Sequence, residues 1–216
     1  MGKLIVFEGL DGSGKETQSK ILEKILIKKK IKVKRITYPN YTEKSSTLVK
    51  LYLDGEIDEN PFNVNAFATT SFYACDHYIT YKKNWEEEYL KNNLILCDRY
   101  ISSNAIYQMS KLEKKEWKNF LNWLYDFEIQ KLKLPKEDMV IYLDVDIKIS
   151  EQLINKRNNK KDIHEKNLKY LNRCKEAAYY AAENLKWNIV KCYEKERMFS
   201  VDEIAGKIYS LIVKYI

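Results

Sequence analysis

Residues 9–15 read Gly-Leu-Asp-Gly-Ser-Gly-Lys, a spacing suited to holding a chain of phosphates. Gly9 and Gly14-Lys15 satisfy the Gly-x-x-x-x-Gly-Lys pattern, and the motif falls between an apolar run and a helical pattern. Backbone N–H groups of residues 12–15 can cradle an anion there, and the start of a helix adds a favourable dipole. Gly12 and Gly14 permit close backbone approach, and Lys15 supplies a point charge to the outer phosphates. Such a loop normally has Ser or Thr after its lysine, giving a hydroxyl to Mg²⁺. This chain has Glu16, with Thr17 one place later and ~100° further round the helix. Glu16 is expected to point away or to reach the metal through water.

A second chemical segment is Asp98-Arg99-Tyr100-Ile101-Ser102-Ser103-Asn104-Ala105-Ile106-Tyr107-Gln108. Asp98 closes a short apolar strand, where a carboxylate can address magnesium or a substrate phosphate. Arg99 offers a fork of donors matched to phosphate oxygens. A third segment, residues 156–161, carries Lys156, Arg157, Lys160 and Lys161 in a polar stretch suited to a lid. Lids need few buried contacts so that they can open and close.

Alternating elements must position these groups. Lys3–Glu8, Val33–Tyr38, Leu94–Cys97, Met139–Val145 and Asn188–Tyr193 read as strands. Helical periodicity starts at Lys15 and recurs over 45–53, 65–90 (bent or interrupted), 113–131, from the fourth strand to about Arg157, 165–185 and 201–213. Asp162 and Glu165 have the spacing of a capping box for the helix expected at Glu165, and Tyr170 and Arg173 could face the nucleotide from it. This order predicts an α/β three-layer fold of the P-loop nucleoside-triphosphate-hydrolase type. A mainly parallel five-stranded sheet and a short lid at about 156–163 would make a single domain of residues 1–216.

Composition narrows the partners. Of 216 residues, 45% are hydrophobic, within the range of ordinary globular domains. The formal charge of +7 suits a polyanionic ligand, although Lys-rich solvated helices give the same total. No zinc-finger or helix-turn-helix signature accompanies it, so nucleic acid is not an expected partner. No signal-like segment opens the chain and no apolar run of ~18 residues occurs, so no membrane partner is expected. Cys75, Cys97, Cys174 and Cys192 lack Cys-x-x-Cys spacing and suit reduced thiols in the cytoplasm.

Phe7-Glu8-Gly9-Leu10-Asp11-Gly12-Ser13-Gly14-Lys15 and the Asp98–Gln108 segment together resemble the thymidylate kinase family of nucleoside monophosphate kinases, over nearly the whole chain. The resemblance implies ATP on Gly9–Thr17, dTMP as acceptor, Mg²⁺ as cofactor and a homodimer built through helices packed face to face. It places Asp11, Tyr38, Pro39, Phe72, His77, Arg99, Ser103, Tyr107 and Gln108 around dTMP, with Phe72 stacking on the base. Lys15, Arg99 and Arg157 would carry the phosphoryl charge, while Asp98 and Glu16 would bear on the metal. Gly12 stands where some members have a basic residue, which in this family goes with a basic lid. Two departures stand out: Tyr41 lies where an arginine often follows the Tyr38-Pro39 pair, and Asp76-His77 where another follows the stacking aromatic. A kinase for another nucleoside monophosphate or nucleoside stays open, and Glu16 with Asp76-His77 leaves open a catalytically impaired nucleotide-binding homologue.

Overall fold

The computed structural model describes residues 2–155, 162–195 and 197–216. Five parallel strands form the sheet in the order β2-β3-β1-β4-β5: β1 Lys3–Glu8, β2 Val33–Thr37, β3 Leu94–Asp98, β4 Met139–Asp144 and β5 Asn188–Lys191. A small antiparallel hairpin, β6 Tyr193–Glu194 with β7 Arg197–Met198, follows. The chain leaves β1 for its neighbour on neither side in sequence, since β3 and β4 flank it, and a crevice opens beyond the strand ends at that point.

Strand alternation sorts the core into two layers. Leu4 and Val6 of β1 join Ile95, Cys97, Val140 and Tyr142 on one face. Ile5 and Phe7 join Leu94, Leu96, Ile141 and Leu143 on the other. Both faces are apolar because helices cover both. The second face is closed by α1 Lys15–Lys28 and α9 Val201–Ile212, through Leu22, Leu26, Ile204, Ile208 and Ile212. Ser200 and Glu203 start α9 with a capping box.

The first face carries α3 Ala66–Thr80, α4 Glu86–Leu90, α5 Ile101–Tyr107, α6 Trp117–Tyr125 and α8 Leu168–Leu185, preceded in the chain by the short α2 Thr47–Leu53 and, before α8, α7 Ile147–Asn155. The long 65–90 helix is interrupted as expected, by a π-type turn at Tyr81–Trp85 that carries the Trp85 ring into the core. A second π-type turn, Asp126–Lys131, continues α6.

Local differences from the sequence reading have local causes. Tyr38 lies beyond the last paired residue of β2, although its N–H still reaches Asp98 O at 2.9 Å. Asp162 does not cap a helix at Glu165. Its Oδ1 accepts from the N–H groups of His164 and Glu165 in a tight turn, and Asn167 caps α8 by accepting from Tyr170 N–H. The strands β1, β3 and β4 were legible as runs of apolar residues, and β2 and β5 as short segments rich in β-branched residues bounded by polar ones. The β6–β7 hairpin, two residues to a strand, has no such run. Residues 156–161, with Lys156, Arg157, Lys160 and Lys161, lie outside the described residues.

Leu96 is fully buried in the second layer. Its replacement by alanine should cost about 2–5 kcal/mol of unfolding free energy, read from the urea midpoint at unchanged slope.

Candidate active site

The strand ends deliver the chemistry. β1 ends in Glu8, the phosphate loop follows, and α1 begins at Lys15. Gly12 has φ +78°, and a Cβ there would lie 2.7 Å from Ser150 O and 3.3 Å from Ile154 Cγ1 of α7. No side chain fits, which is the physical reason this loop cannot carry its own basic residue at position 12. Ser150 Oγ also donates to Asp11 O, so α7 clamps the loop from outside.

Lys15 folds over its own loop. Its ammonium donates to Leu10 O at 2.9 Å and Ser13 Oγ at 3.3 Å. Burial, with Arg99 nearby, lowers its pKa to about 8, against the pull of Asp11, Asp98 and Glu8. A bound polyphosphate would replace the two weak acceptors with charged ones.

Arg99 directly follows β3 and sits at φ +65°, a conformation that costs a non-glycine residue roughly 1–2 kcal/mol. Its N–H continues the ladder to Phe7 O at 3.0 Å, and the left-handed turn swings the guanidinium across the strand ends. There it pairs with the Asp11 carboxylate, reaches Gly9 O at 3.4 Å and lies 5.1 Å over the Tyr107 ring. Tyr107 Oη donates to the other Asp11 oxygen at 3.1 Å. Burial alone would raise the Asp11 pKa, but Arg99 and Lys15 outweigh it and hold the carboxyl well below the usual range. Asp11 is therefore held ionised and is a weak base.

Glu8 was not singled out in the sequence because it reads as the polar end of a strand. Fully buried, it accepts from Ser102 Oγ and Ser103 Oγ, each at 2.9 Å, and from Tyr100 N–H at 3.3 Å. Burial raises its pKa, opposed by Arg99 and the two serines. This carboxylate ties β1 to the start of α5, and it occupies the hydroxyl of Ser103, a residue the resemblance places around dTMP.

Beside this knot lies a small cleft of about 50 Å³. Asp11, Pro39, Arg99, Ser103, Tyr107 and Gln108 line it, six of the nine residues expected around the acceptor. Gln108 is 1% exposed and its side-chain oxygen has no hydrogen-bond partner, the mark of a group waiting for a ligand.

The other three are elsewhere. Tyr38 is buried, donating to His77 O at 3.2 Å and accepting from Trp85 Nε1 at 3.0 Å. Phe72 packs against the small cluster of Val49, Tyr52, Leu53, Val64 and Ile163, and its neighbour Tyr73 is the aromatic that lines the cleft from α3. His77 points into the core, Nδ1 2.6 Å from Glu128 Oε2. Asp76 is also buried, accepting from Ser45 Oγ at 2.5 Å and Asn40 N–H at 3.2 Å, which pins the loop carrying Pro39 and Tyr41 to α3. Helical periodicity cannot tell which of two adjacent aromatics faces a cleft, and a buried hydrogen bond between distant segments leaves no local signal.

The turn after the undescribed residues closes the cleft. Ile163 N–H reaches Leu53 O at 3.2 Å, and its side chain joins the Val49–Tyr52 cluster. His164 stacks on Tyr107, centroids 5.1 Å apart at 10°, and Nε2 lies 2.7 Å from Tyr52 Oη. Burial, and then Lys111, push its pKa down to about 3, so it is neutral. Tyr170 donates to Tyr107 O at 2.6 Å and Arg173 to the carbonyls of Ser110 and Leu112, so both brace the α5 end instead of facing nucleotide.

Asp98 ends β3, 5% exposed. Burial raises its pKa, Lys15 and Arg99 lower it, and Glu16 adds a raising contribution. Glu16 itself is exposed and bridges to Lys20 at 2.5 Å. Among the described residues no group of three or more His, Cys, Asp or Glu could hold a metal alone. One or two carboxylate oxygens beside a phosphate loop nevertheless fit Mg²⁺, which keeps waters and takes the rest of its ligands from phosphates.

A glycine-rich loop at the head of a parallel sheet, with its lysine and a guanidinium converging beyond the strand ends, defines a P-loop nucleotide-binding protein. The thymidylate kinase family model matches residues 7–201. A thymidylate kinase of Prochlorococcus marinus is 28% identical over 221 aligned positions, spanning 98% of each chain. A thymidylate kinase of Plasmodium falciparum is 31% identical over 67% of this chain and 62% of its own. The solved thymidylate kinase from Candida albicans superposes with a TM-score of 0.72 at 21% identity, covering 99% of this chain and 92% of that one. The chain belongs to the thymidylate kinase family.

Asp162 lines the cleft with its pKa raised to about 7 by burial and by facing Asp11. The unfolded value lies lower, so the carboxylate costs the fold nothing in strong acid. The cost grows as pH rises towards about 7 and is complete above it. Asp162→Asn keeps the turn acceptor and removes the charge. The variant should melt higher than the parent at pH 8, by roughly 2–4 °C for each kcal/mol relieved, with the gap closing at pH 4.

Proposed function

We propose that the chain is a thymidylate kinase, transferring the γ-phosphoryl group of ATP to dTMP to give ADP and dTDP. The observation that carries this is the Asp11–Arg99–Tyr107 knot, which makes the phosphate loop one wall of a cleft lined by Gln108, whose side-chain oxygen has no partner among the described residues. A donor phosphate on the loop and an acceptor in the cleft would meet beside Arg99.

An oxygen of the acceptor phosphate attacks the γ-phosphorus, and the bond to the β,γ-bridging oxygen breaks, leaving ADP. The attacking oxygen is already anionic, so no strong base is required and none is present in Asp11. Positioning and cationic groups do the work. Lys15 would leave Leu10 and Ser13 for the outer phosphates. Arg99, held by Asp11 and Tyr107, would meet the transferring group or the acceptor phosphate with two donors. Lys156, Arg157, Lys160 and Lys161 would add charge when a lid closes, consistent with a loop that has no room for a cation at position 12. Mg²⁺ would neutralise the triphosphate when bound, with Asp98 holding it directly or through water and Glu16 acting at longer range.

Asp76 and His77 have structural partners, so one of the two features that suggested an impaired homologue has another explanation, and Glu16 is the other. Among the described residues no helix is long and apolar enough to cross a membrane. The unpaired thiols suit a cytoplasmic enzyme. Cys75, Tyr78 and Ile79 form an exposed patch on α3, which we assign to a homodimer contact.

Lys15→Ala should lower kcat/KM for dTMP by about 10²–10³ in a coupled ADP assay, with the fold retained by circular dichroism. A native enzyme that turns over another nucleoside monophosphate better than dTMP would overturn the assignment. For the assembly, Ile79→Asp should shift the species seen by light scattering from two copies to one. A parent that is already monomeric at micromolar concentration rules the contact out.

A further inference from the structure

Three elements meet at one buried carboxylate. Glu128, fully buried, comes from the π-type turn that continues α6; such turns displace a side chain from the regular helical face. Its Oε2 lies 2.6 Å from Nδ1 of His77 on α3, and its Oε1 accepts from Asn104 Nδ2 on α5 at 3.0 Å. Asn104 is 1% exposed and lines the acceptor cleft. His77 and Glu128 do not line it.

An asparagine amide can present either end to a ligand, and what holds the other end decides which. One proton is shared between His77 Nδ1 and Glu128 Oε2. Whichever atom carries it, Oε1 remains an acceptor, as a carboxylate oxygen or as the carbonyl of the acid. It therefore draws the Asn104 NH₂ group, and the amide oxygen is the end left for the cleft. We propose that the Glu128–His77 pair is a positioning unit that fixes Asn104 as a hydrogen-bond acceptor for the acceptor base, so that the cleft selects pyrimidines carrying a ring N–H over those carrying a bare ring nitrogen. This rests on the reading of the cleft as the nucleoside monophosphate site.

The chemistry of selection is direct. Thymine and uracil carry a hydrogen on N3, whereas cytosine presents a lone pair at the same place. A fixed carbonyl pairs with the first and repels the second, and a desolvated mismatch of that kind is strongly disfavoured. A freely turning amide would satisfy either base. The discrimination then depends on residues that never touch the base.

The test is kcat/KM for dTMP and dCMP in the parent, Glu128→Met, Asn104→Ala and the double variant, with the ATP KM measured in each. Glu128→Met should lower the dTMP:dCMP ratio by about ten-fold or more through the nucleoside monophosphate KM values, leaving the ATP KM unchanged. Asn104→Ala should lower it similarly, and adding Glu128→Met to Asn104→Ala should lower it no further. A merely structural role for Glu128 would reduce activity on both acceptors alike. An unchanged ratio in Asn104→Ala overturns the proposal even if Glu128→Met does not fold, and so does an additive double variant. If the parent phosphorylates neither nucleotide, the acceptor reading fails and this proposal falls with it. A parent that prefers dTMP while Glu128→Met keeps the same ratio sinks the proposal alone.

Discussion

A carboxylate on the phosphate loop and a guanidinium just beyond β3 face each other across the strand ends, and the Asp11–Arg99 pair organises what surrounds it. It holds a positive fork at a fixed place in a largely dehydrated cleft, where an unpaired charge of either sign would be costly. It keeps Asp11 ionised and makes it a poor base. It also explains why Arg99 tolerates a left-handed backbone: the ladder to Phe7 and the ion pair together over-determine that conformation.

Around that pair, buried polar side chains connect elements that are far apart in sequence. Glu8 ties β1 to α5, Asp76 ties α3 to the loop after β2, and Glu128 ties α3 to α5 and to the continuation of α6. Each carboxylate is satisfied by donors from a different segment, which makes the contacts directional where apolar packing is not. The cleft walls are thus positioned by hydrogen bonds, while the two apolar layers on either side of the sheet supply most of the burial.

The departures from the family's pattern become intelligible at this level. Where the resemblance called for an arginine near the base, Asp76 and His77 turn inwards and serve the framework. Gly12 is enforced by the backbone of α7, so charge for the transferring group has to come from elsewhere than the loop. The Asp162–His164 turn is latched to α2 and stacked on Tyr107, which brings the end of the 156–163 segment against the cleft from outside.

The sequence by itself determined the five strands, the phosphate loop, the Asp98–Gln108 segment and the family, because those features are local: an apolar run, a glycine spacing, a contiguous motif. It also placed Asp11, Pro39, Arg99, Ser103, Tyr107 and Gln108 at the cleft, since they lie in or beside such motifs. Only the tertiary structure decided that Tyr73 and not Phe72 lines the cleft, that His77 is buried against Glu128, that Glu8 ties β1 to α5 and that Asn104 lines the cleft. The physical reason is that a side chain's direction in a long helix depends on which neighbours pack against it. A buried carboxylate's role depends on donors tens of residues away, and neither leaves a trace in local spacing.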